Sequence, residues 1–409
     1  MIRTARFSVI FCFLLFLPLS SFGAETIQLT DNNYVYDILP EINSRGEVVW
    51  EDSIGWGDSI GKDIFLYDGL TTRSLTESLE MSNMIYWRPK ISDSGHVIWS
   101  GMPKGIDPLT IGSNELYLYD GLQTKQFTNN GLTEMFLTIN AHGQAAWTGA
   151  SGHRVSDLFY YNGADIVQLT SDVDGDITPS INDAGNIAWV KLSAEDEKRD
   201  IYLFDGSLKQ ITNDGNGNAS PIINAGGDVV WLKGDGPNQG VYLLKDGQTQ
   251  QLTNYPASRA SLDMNDDGKI VWENNGDIFL YEENSIRKIA NREDSFNAFP
   301  KINSSGEVAW MGRPPRSLWE INLLDESGTH QAWGSYGMVH NEDGGPKIND
   351  RGDIVWSASL TPDITEDHEI FLYKADAVPP DDGGGGDTEP PPPVHPPDAV
   401  ELQEGTPFS

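Results

Sequence analysis

The sequence predicts an all-β chain: an eight-bladed β-propeller of four-stranded blades, closed by an N-terminal strand that completes the last blade. Three observations lead there. A phrase ending in tryptophan recurs eight times at a spacing of about 44 residues. Each copy is followed by a short aromatic-aliphatic run and, in most copies, by a segment ending in Leu-Thr or Ile-Thr. One such segment precedes the first repeat, and the last repeat lacks its own.

The phrase reads PEINSRGEVVW at 40–50, PSINDAGNIAW at 179–189 and PKINDRGDIVW at 346–356. Its tryptophans, Trp50, Trp99, Trp147, Trp189, Trp231, Trp272, Trp310 and Trp356, stand 49, 48, 42, 42, 41, 38 and 46 residues apart. The segment ending in Ile-Asn is the first strand and Gly-x-Val-Val-Trp the second. The run typified by DIFLYDG (63–69) is the third, and Ser74-Leu75-Thr76 or Gln210-Ile211-Thr212 the fourth. Asn-x-x-Gly between the first two strands is turn chemistry, with a glycine free to take φ > 0, and Asp-Gly between the last two does the same. The third strand is almost continuously apolar, as a sheet covered on both faces requires. Radially stacked blades supply that cover, and a period of about 40–45 residues with a tryptophan signature is the propeller signal.

The ends bear on closure. After the third strand of the last repeat, His368 to Tyr373, the chain runs into Pro379-Pro380 without a Leu-Thr segment. Thr26-Ile27-Gln28-Leu29-Thr30 is a fourth strand with no first three before it, so adding it to the last blade leaves no open edge and favours eight blades over seven. The propeller then spans 25–376. Residues 1–24 read as a cleaved secretory signal: Arg3 and Arg6, an apolar run from Phe7 to Leu19, and small residues to Ala24. That run is too short for a bilayer, which takes roughly 20 residues, so no membrane span is expected. Cleavage would remove Cys12, the one cysteine, and with it thiolate chemistry and Cys-based zinc sites. Residues 377–398 are a Pro/Gly-rich linker, and 399–409 a tail or the start of a truncated C-terminal domain.

The Pro-x-Ile-Asn-x-x-Gly-x-Val-Val-Trp, Asp-Ile-Phe-Leu-Tyr-Asp-Gly and Leu-Thr phrases resemble the WD40-like repeats of TolB-type periplasmic β-propellers, over residues 26–375. Here the turn is Asn-x-x-Gly where that family has Ser-Pro-Asp-Gly, and the N-terminal α/β domain of TolB is lacking. The resemblance implies an exported bacterial protein, periplasmic, cell-surface or extracellular, from a family that mainly binds proteins or ligands. It implies little about activity, because propellers host unrelated functions.

Composition narrows the partners. With 27 Lys plus Arg against 61 Asp plus Glu, the formal charge is −34, which repels phosphate backbones and makes nucleic acid an improbable partner. Gly57-Asp58-Ser59-Ile60-Gly61 matches the hydrolase pattern but falls between two propeller strands instead of on a strand-to-helix turn, so no catalytic residue is assigned. Asp172, Asp174 and Asp176 have the alternate spacing of a calcium loop without its closing glutamate, which makes calcium the one cofactor the sequence offers. The eight repeat tryptophans are expected between blades. Trp56, Trp87, Trp319 and Trp333 lie outside the repeat phrase and are the candidates for facing a ligand.

The expected function is that of an exported, monomeric, non-catalytic module binding a protein, glycan or cation; the alternative is a polysaccharide-active propeller enzyme, lyase or glycoside hydrolase. The functional face is expected on the long second and inter-repeat connections, such as 51–62, 100–114, 192–199 and 311–318, because binding residues concentrate on variable loops held by a rigid scaffold.

Overall fold

A computed structural model describes residues 24–32, 36–53, 62–77, 83–107, 110, 112–152, 155–214, 217–234, 239–255, 261–333, 345–359 and 368–375. All of these belong to one compact unit, 1–376. Residues 1–23 of the expected signal, Trp56, the Gly57–Gly61 motif, the linker and the tail lie outside the described residues. Among the described residues, no helix is long and apolar enough to cross a membrane.

The chain is an all-β propeller built of repeated four-stranded antiparallel sheets. In the first repeat, β2 (Tyr36–Ile42), β3 (Val48–Ser53), β4 (Lys62–Tyr67) and β5 (Thr72–Ser74) pair in sequence order. The same order recurs through the later repeats. Two of them, β10 (Thr133–Ile139) to β13 (Ile166–Gln168) and β14 (Gly175–Ile181) to β17 (Leu208–Gln210), count as one eight-stranded sheet through a single parallel pair, Ser156 with Gly175. The last sheet takes its fourth strand from the other end of the chain. Strand β1 (Glu25–Gln28) pairs antiparallel with β32 (Glu369–Lys374), beside β31 (Ile354–Ala358) and β30 (Lys347–Ile348).

Two phrases of the repeat explain the sheets. Each second-strand tryptophan is almost fully buried, and all but Trp310, which faces Asn322, lie against an aromatic opposite on the third strand, as Trp50 does on Phe65 at 5.9 Å and Trp356 on Phe371 at 5.8 Å. Leu-Thr ends the outer strand because the threonine hydroxyl accepts the amide at the start of the third strand: Leu116 N–H at 2.9 Å from Thr128, Leu158 at 2.7 Å from Thr170 and Val241 at 3.0 Å from Thr253. Thr30 accepts Ile370 N–H at 2.9 Å, so the N-terminal strand carries the same threonine in the same role.

Asn-x-x-Gly does more than turn the chain. All eight glycines of this turn have positive φ, from +76° to +89°. The asparagine Oδ1 accepts amides of its own turn, as Asn182 does from Ala184 at 3.1 Å and Asn186 at 2.9 Å. Its Nδ2 donates to a carbonyl of the next repeat's turn: Asn140 to Asn182 at 3.0 Å, Asn182 to Asn224 at 2.8 Å, Asn265 to Asn303 and Asn303 to Asn349 at 3.0 Å each. Asn349 donates to Asn43 at 2.9 Å, from the last repeat to the first. One repeat departs: Ser92 has no amide to extend, and Ser94 N–H bonds the carbonyl of Ala141 at 3.0 Å instead.

A second layer has a period of two repeats. Asp93, Asp183, Asp266 and Asp350 follow the turn residue in even-numbered repeats only. Each accepts the backbone amide of the preceding odd repeat, Ser44 at 2.7 Å, Ala141 at 2.9 Å, Ala225 at 2.8 Å and Ser304 at 3.0 Å.

The first strands carry a β-bulge. Their register shifts between Ile38 and Glu41, Trp87 and Lys90, Ile177 and Ser180, and Ala298 and Lys301. The bulged residue is left-handed, with φ of 54° at Leu39, 53° at Arg88 and Phe299, and 49° at Thr178. Proline follows each of these four, and having no N–H it leaves no donor orphaned where the ladder is broken.

Removing one link of the asparagine belt leaves buried turn amides and a carbonyl unpaired, so Asn182→Ala is expected to cost about 2–4 kcal/mol in chemical unfolding. Ser92→Asn supplies the missing amide and is expected to stabilise by about 0.5–1.5 kcal/mol. A Ser92→Asn variant less stable than the parent would show that the belt is not what joins the repeats there.

Candidate ligand-binding face

A four-stranded antiparallel meander sends its first and third turns to one side, and its second turn and inter-repeat connection to the other. The asparagine belt marks the first side; the long connections mark the second. On that second side, in four repeats, the residue 13 positions before the tryptophan accepts its indole N–H. Trp50 Nε1 donates to Asp37 at 3.1 Å, Trp189 to Asp176 at 2.7 Å, Trp231 to Asn218 at 3.2 Å and Trp310 to Asn297 at 3.1 Å, and Glu134 occupies the position in the third repeat.

Where that acceptor is an acid, burial weakens it. The Asp176 carboxyl is pushed up to about 6 and that of Glu134 to about 7, both chiefly by loss of water. Asp37 is raised well above the ordinary range by burial, then by Asp52 and Glu369. Burial and the neighbouring Asp63 take Asp52 to about 7.

The sequence-named residues fall in different places. Asp176 is fully buried, with one oxygen on Trp189 and the other on the Thr170 hydroxyl. Asp172 turns to Lys191 at 2.5 Å, and Asp174 lies 3.7 Å from the same ammonium. Asp172 also accepts the Asp174 amide, and Asp174 that of Ala194, both at 3.0 Å. Asp176 is thus held by Trp189 and Thr170, apart from the other two, and the cation between Asp172 and Asp174 is a lysine. Among the described residues, no group of three or more His, Cys, Asp or Glu is set to hold a metal ion.

Trp87 lies half-buried on β6 (Met84–Ile91), opposite Ser100. Trp333, at the end of β29 (Gly328–Trp333), packs into the body of the fold, 5.5 Å from Trp356 and 5.6 Å from Phe371. Trp319 is the one brought together with other ligand-suited groups. Phe296 stands edge-on to it at 6.0 Å and 76°, and the Arg313 guanidinium lies over its ring at 5.8 Å. Phe296 opens β26 (Phe296–Ile302) and is 44% exposed; Arg313 ends β27 (Val308–Arg313) and is exposed. Gly276 allows this seat, since a Cβ there would stand 2.9 Å from the Phe296 ring. Sequence reading missed Phe296 and Arg313 because neither belongs to a repeated phrase; what aligns them with Trp319 is the register of β26 on β27, Phe296 opposite Arg313. Two angled rings and a guanidinium on rigid strand ends can stack an apolar face and bond a hydroxyl or carboxylate.

No protein-family model and no curated protein matches the sequence. Among solved structures, the chain is similar to the Pyrococcus horikoshii acylaminoacyl peptidase at 13% identity and a TM-score of 0.51, over 84% of this chain and 51% of that one. It is also similar to the β-propeller domain of the Trilobed protease from Pyrococcus furiosus, at 12% identity and 0.49 over 84% and 94%, and to TolB from Acinetobacter baumannii, at 16% and 0.37 over 72% and 80%. The chain spans about half the length of the acylaminoacyl peptidase. At these identities the likeness is one of fold.

A carboxyl whose folded pKa is raised binds its proton more tightly when folded. Stability is therefore gained on acidification and lost as pH rises, from about 4 through 6 for Asp176 and through 7 for Glu134 and Asp52. Asn218 and Asn297 fill the same position in other repeats, so Asp176→Asn is expected to stabilise at pH 8 by on the order of 1–3 kcal/mol and to flatten the pH slope. The difference in melting temperature with and without calcium should be the same in Asp176→Asn as in the parent. Stabilisation by calcium in the parent that Asp176→Asn loses would instead support the aspartate trio as a metal loop.

Proposed function

We propose that the chain is an exported, monomeric, non-catalytic binding module of TolB-type WD40-like repeats, closed as a ring of eight blades, which takes a protein or glycan ligand on the long-loop face around Phe296, Trp319 and Arg313. The observation that carries the binding site is the exposed Phe296 ring set against Trp319 under a guanidinium, on strand ends that packing holds in place. A ligand-free fold gains nothing from exposing that ring, and aromatic and arginine anchors of this kind dominate recognition surfaces.

Three observations support the ring. Val48, Trp50 and Tyr67 of the first repeat pack on Val355, Ile370 and Leu372 of the last. Leu29 N–H bonds the carbonyl of Ile370 at 2.8 Å, continuing the seam through β1. The alternation of Asp93, Asp183, Asp266 and Asp350 gives each odd repeat's amide a carboxylate in the next repeat, a pattern that continues unbroken around a ring only when the number of blades is even.

Phe296→Ala is expected to leave the melting temperature within about 2 °C and to lower binding to an array of bacterial and plant polysaccharides, or to envelope proteins, by tenfold or more. Undiminished binding by a folded Phe296→Ala would place the ligand elsewhere. For closure, deletion of residues 25–31 is expected to expose β32 and cause a large drop in melting temperature or aggregation. An unchanged melt would mean that β1 is not the eighth blade's outer strand.

A further inference from the structure

The residue two positions before the belt residue follows a β-bulge in the first, second and seventh repeats, and the first strands of successive repeats lie against one another there. Over five successive repeats that residue is charged: Asp263, Lys301, Lys347, Glu41 and Lys90. Lys90 bonds Glu41, Lys347 approaches Glu41 at 3.9 Å, and Lys301 approaches Asp263 at 3.8 Å. Thr138, Ser180 and Ile222 complete the set, so the other half of the axis is uncharged.

Three ammonium groups face two carboxylates, a local surplus of positive charge inside a protein of net charge −34. Lys301 and Lys347 each meet a carboxylate at ion-pair distance only, beyond hydrogen-bond reach, and both remain partly open, 25% and 20% of the side chain. Each holds three donors that the described residues do not engage. They stand at the same position of adjacent first strands, β26 and β30, just inside the asparagine belt and on the side away from Phe296 and Trp319.

We propose that this arc is a binding site for a small oxyanion, a carboxylate- or phosphate-bearing molecule bridged between Lys301 and Lys347, with Glu41 and Asp263 positioning the two ammoniums. Lysine presents compact, hydrated point charges suited to such groups. The surrounding acidic surface would admit a small anion along the axis while repelling a polyanion. The site does not rest on the long-loop reading, and either can fail alone.

Burial holds the Lys347 ammonium down to about 8; Glu41 and Asp263 oppose that fall and Lys90 and Lys301 add to it. Burial also works against the Glu41 carboxylate, but Lys347 and Lys90 more than offset it and hold it below its ordinary value. Anion binding should therefore weaken above pH 8, by up to tenfold per unit.

The test is calorimetric titration of the full chain with inorganic phosphate and, separately, citrate, at low ionic strength and pH 7, repeated at pH 9. Millimolar or tighter binding of either anion, lost at least tenfold in both Lys301→Gln and Lys347→Gln and kept in the surface variant Lys209→Gln, supports the site. Binding of phosphate but not citrate, or the reverse, supports it and identifies the group. Melting curves confirm that the variants are folded; if one is not, Lys347→Arg, which keeps the charge through pH 9, should retain binding and abolish its loss between pH 7 and 9. No binding of either anion at 10 mM, or equal binding by folded Lys347→Gln, overturns it.

Discussion

One asparagine, present in every repeat but the second, holds two neighbours to a single geometry. Its carbonyl oxygen closes its own turn and its amide reaches the next turn, so a change in the angle between two sheets would cost bonds inside a turn as well as between turns. The turn glycine lets the chain double back closely enough for this. Both groups are buried, and a buried amide left without a partner costs more than a satisfied one contributes. The sheets are therefore fixed relative to one another by polar geometry, with the tryptophan stacks filling the space between them.

That rigidity assigns the remaining positions their freedom. Residues inside the belt, the tryptophan stacks and the Leu-Thr hydroxyl bonds are committed to the scaffold. The residue after the bulge and the ends of the long connections are not, and there the repeats differ most: Glu41, Lys90 and Ile222 at one, Phe296 and Gly175 at the other. Unexplained charge and exposed aromatic surface collect at these uncommitted places, in keeping with a scaffold that carries function on variable positions.

The repeat phrases made strands, turns and the eight tryptophan contacts legible, because a period shows which residues every unit must have. What was not legible depends on comparing repeats instead of averaging them. Asp176 has the spacing of a calcium loop in its own segment, and aligned 13 residues before Trp189 it also shares a position with Asp37, Asn218 and Asn297, whose common property is to accept an indole N–H. Trp333 looked free because it lies outside the phrase, whereas a register shift beside Ile321 turns it onto Trp356. Trp319 was named from the sequence, but its neighbours Phe296 and Arg313 were not, since the residues joining them are paired across a sheet and distant in sequence.

The central claim is that one polar belt joins all the repeats, including the last to the first. Residue-resolved amide hydrogen exchange tests it most directly, because the belt protects named amides: Ala184 and Asn186 in the fourth repeat, Arg45 and Glu47 with Arg351 and Asp353 where the first repeat meets the last. Protection factors at the seam within about tenfold of those at Ala184 and Asn186 are predicted. Seam amides that exchange at loop rates while Ala184 and Asn186 stay protected would contradict a continuous belt.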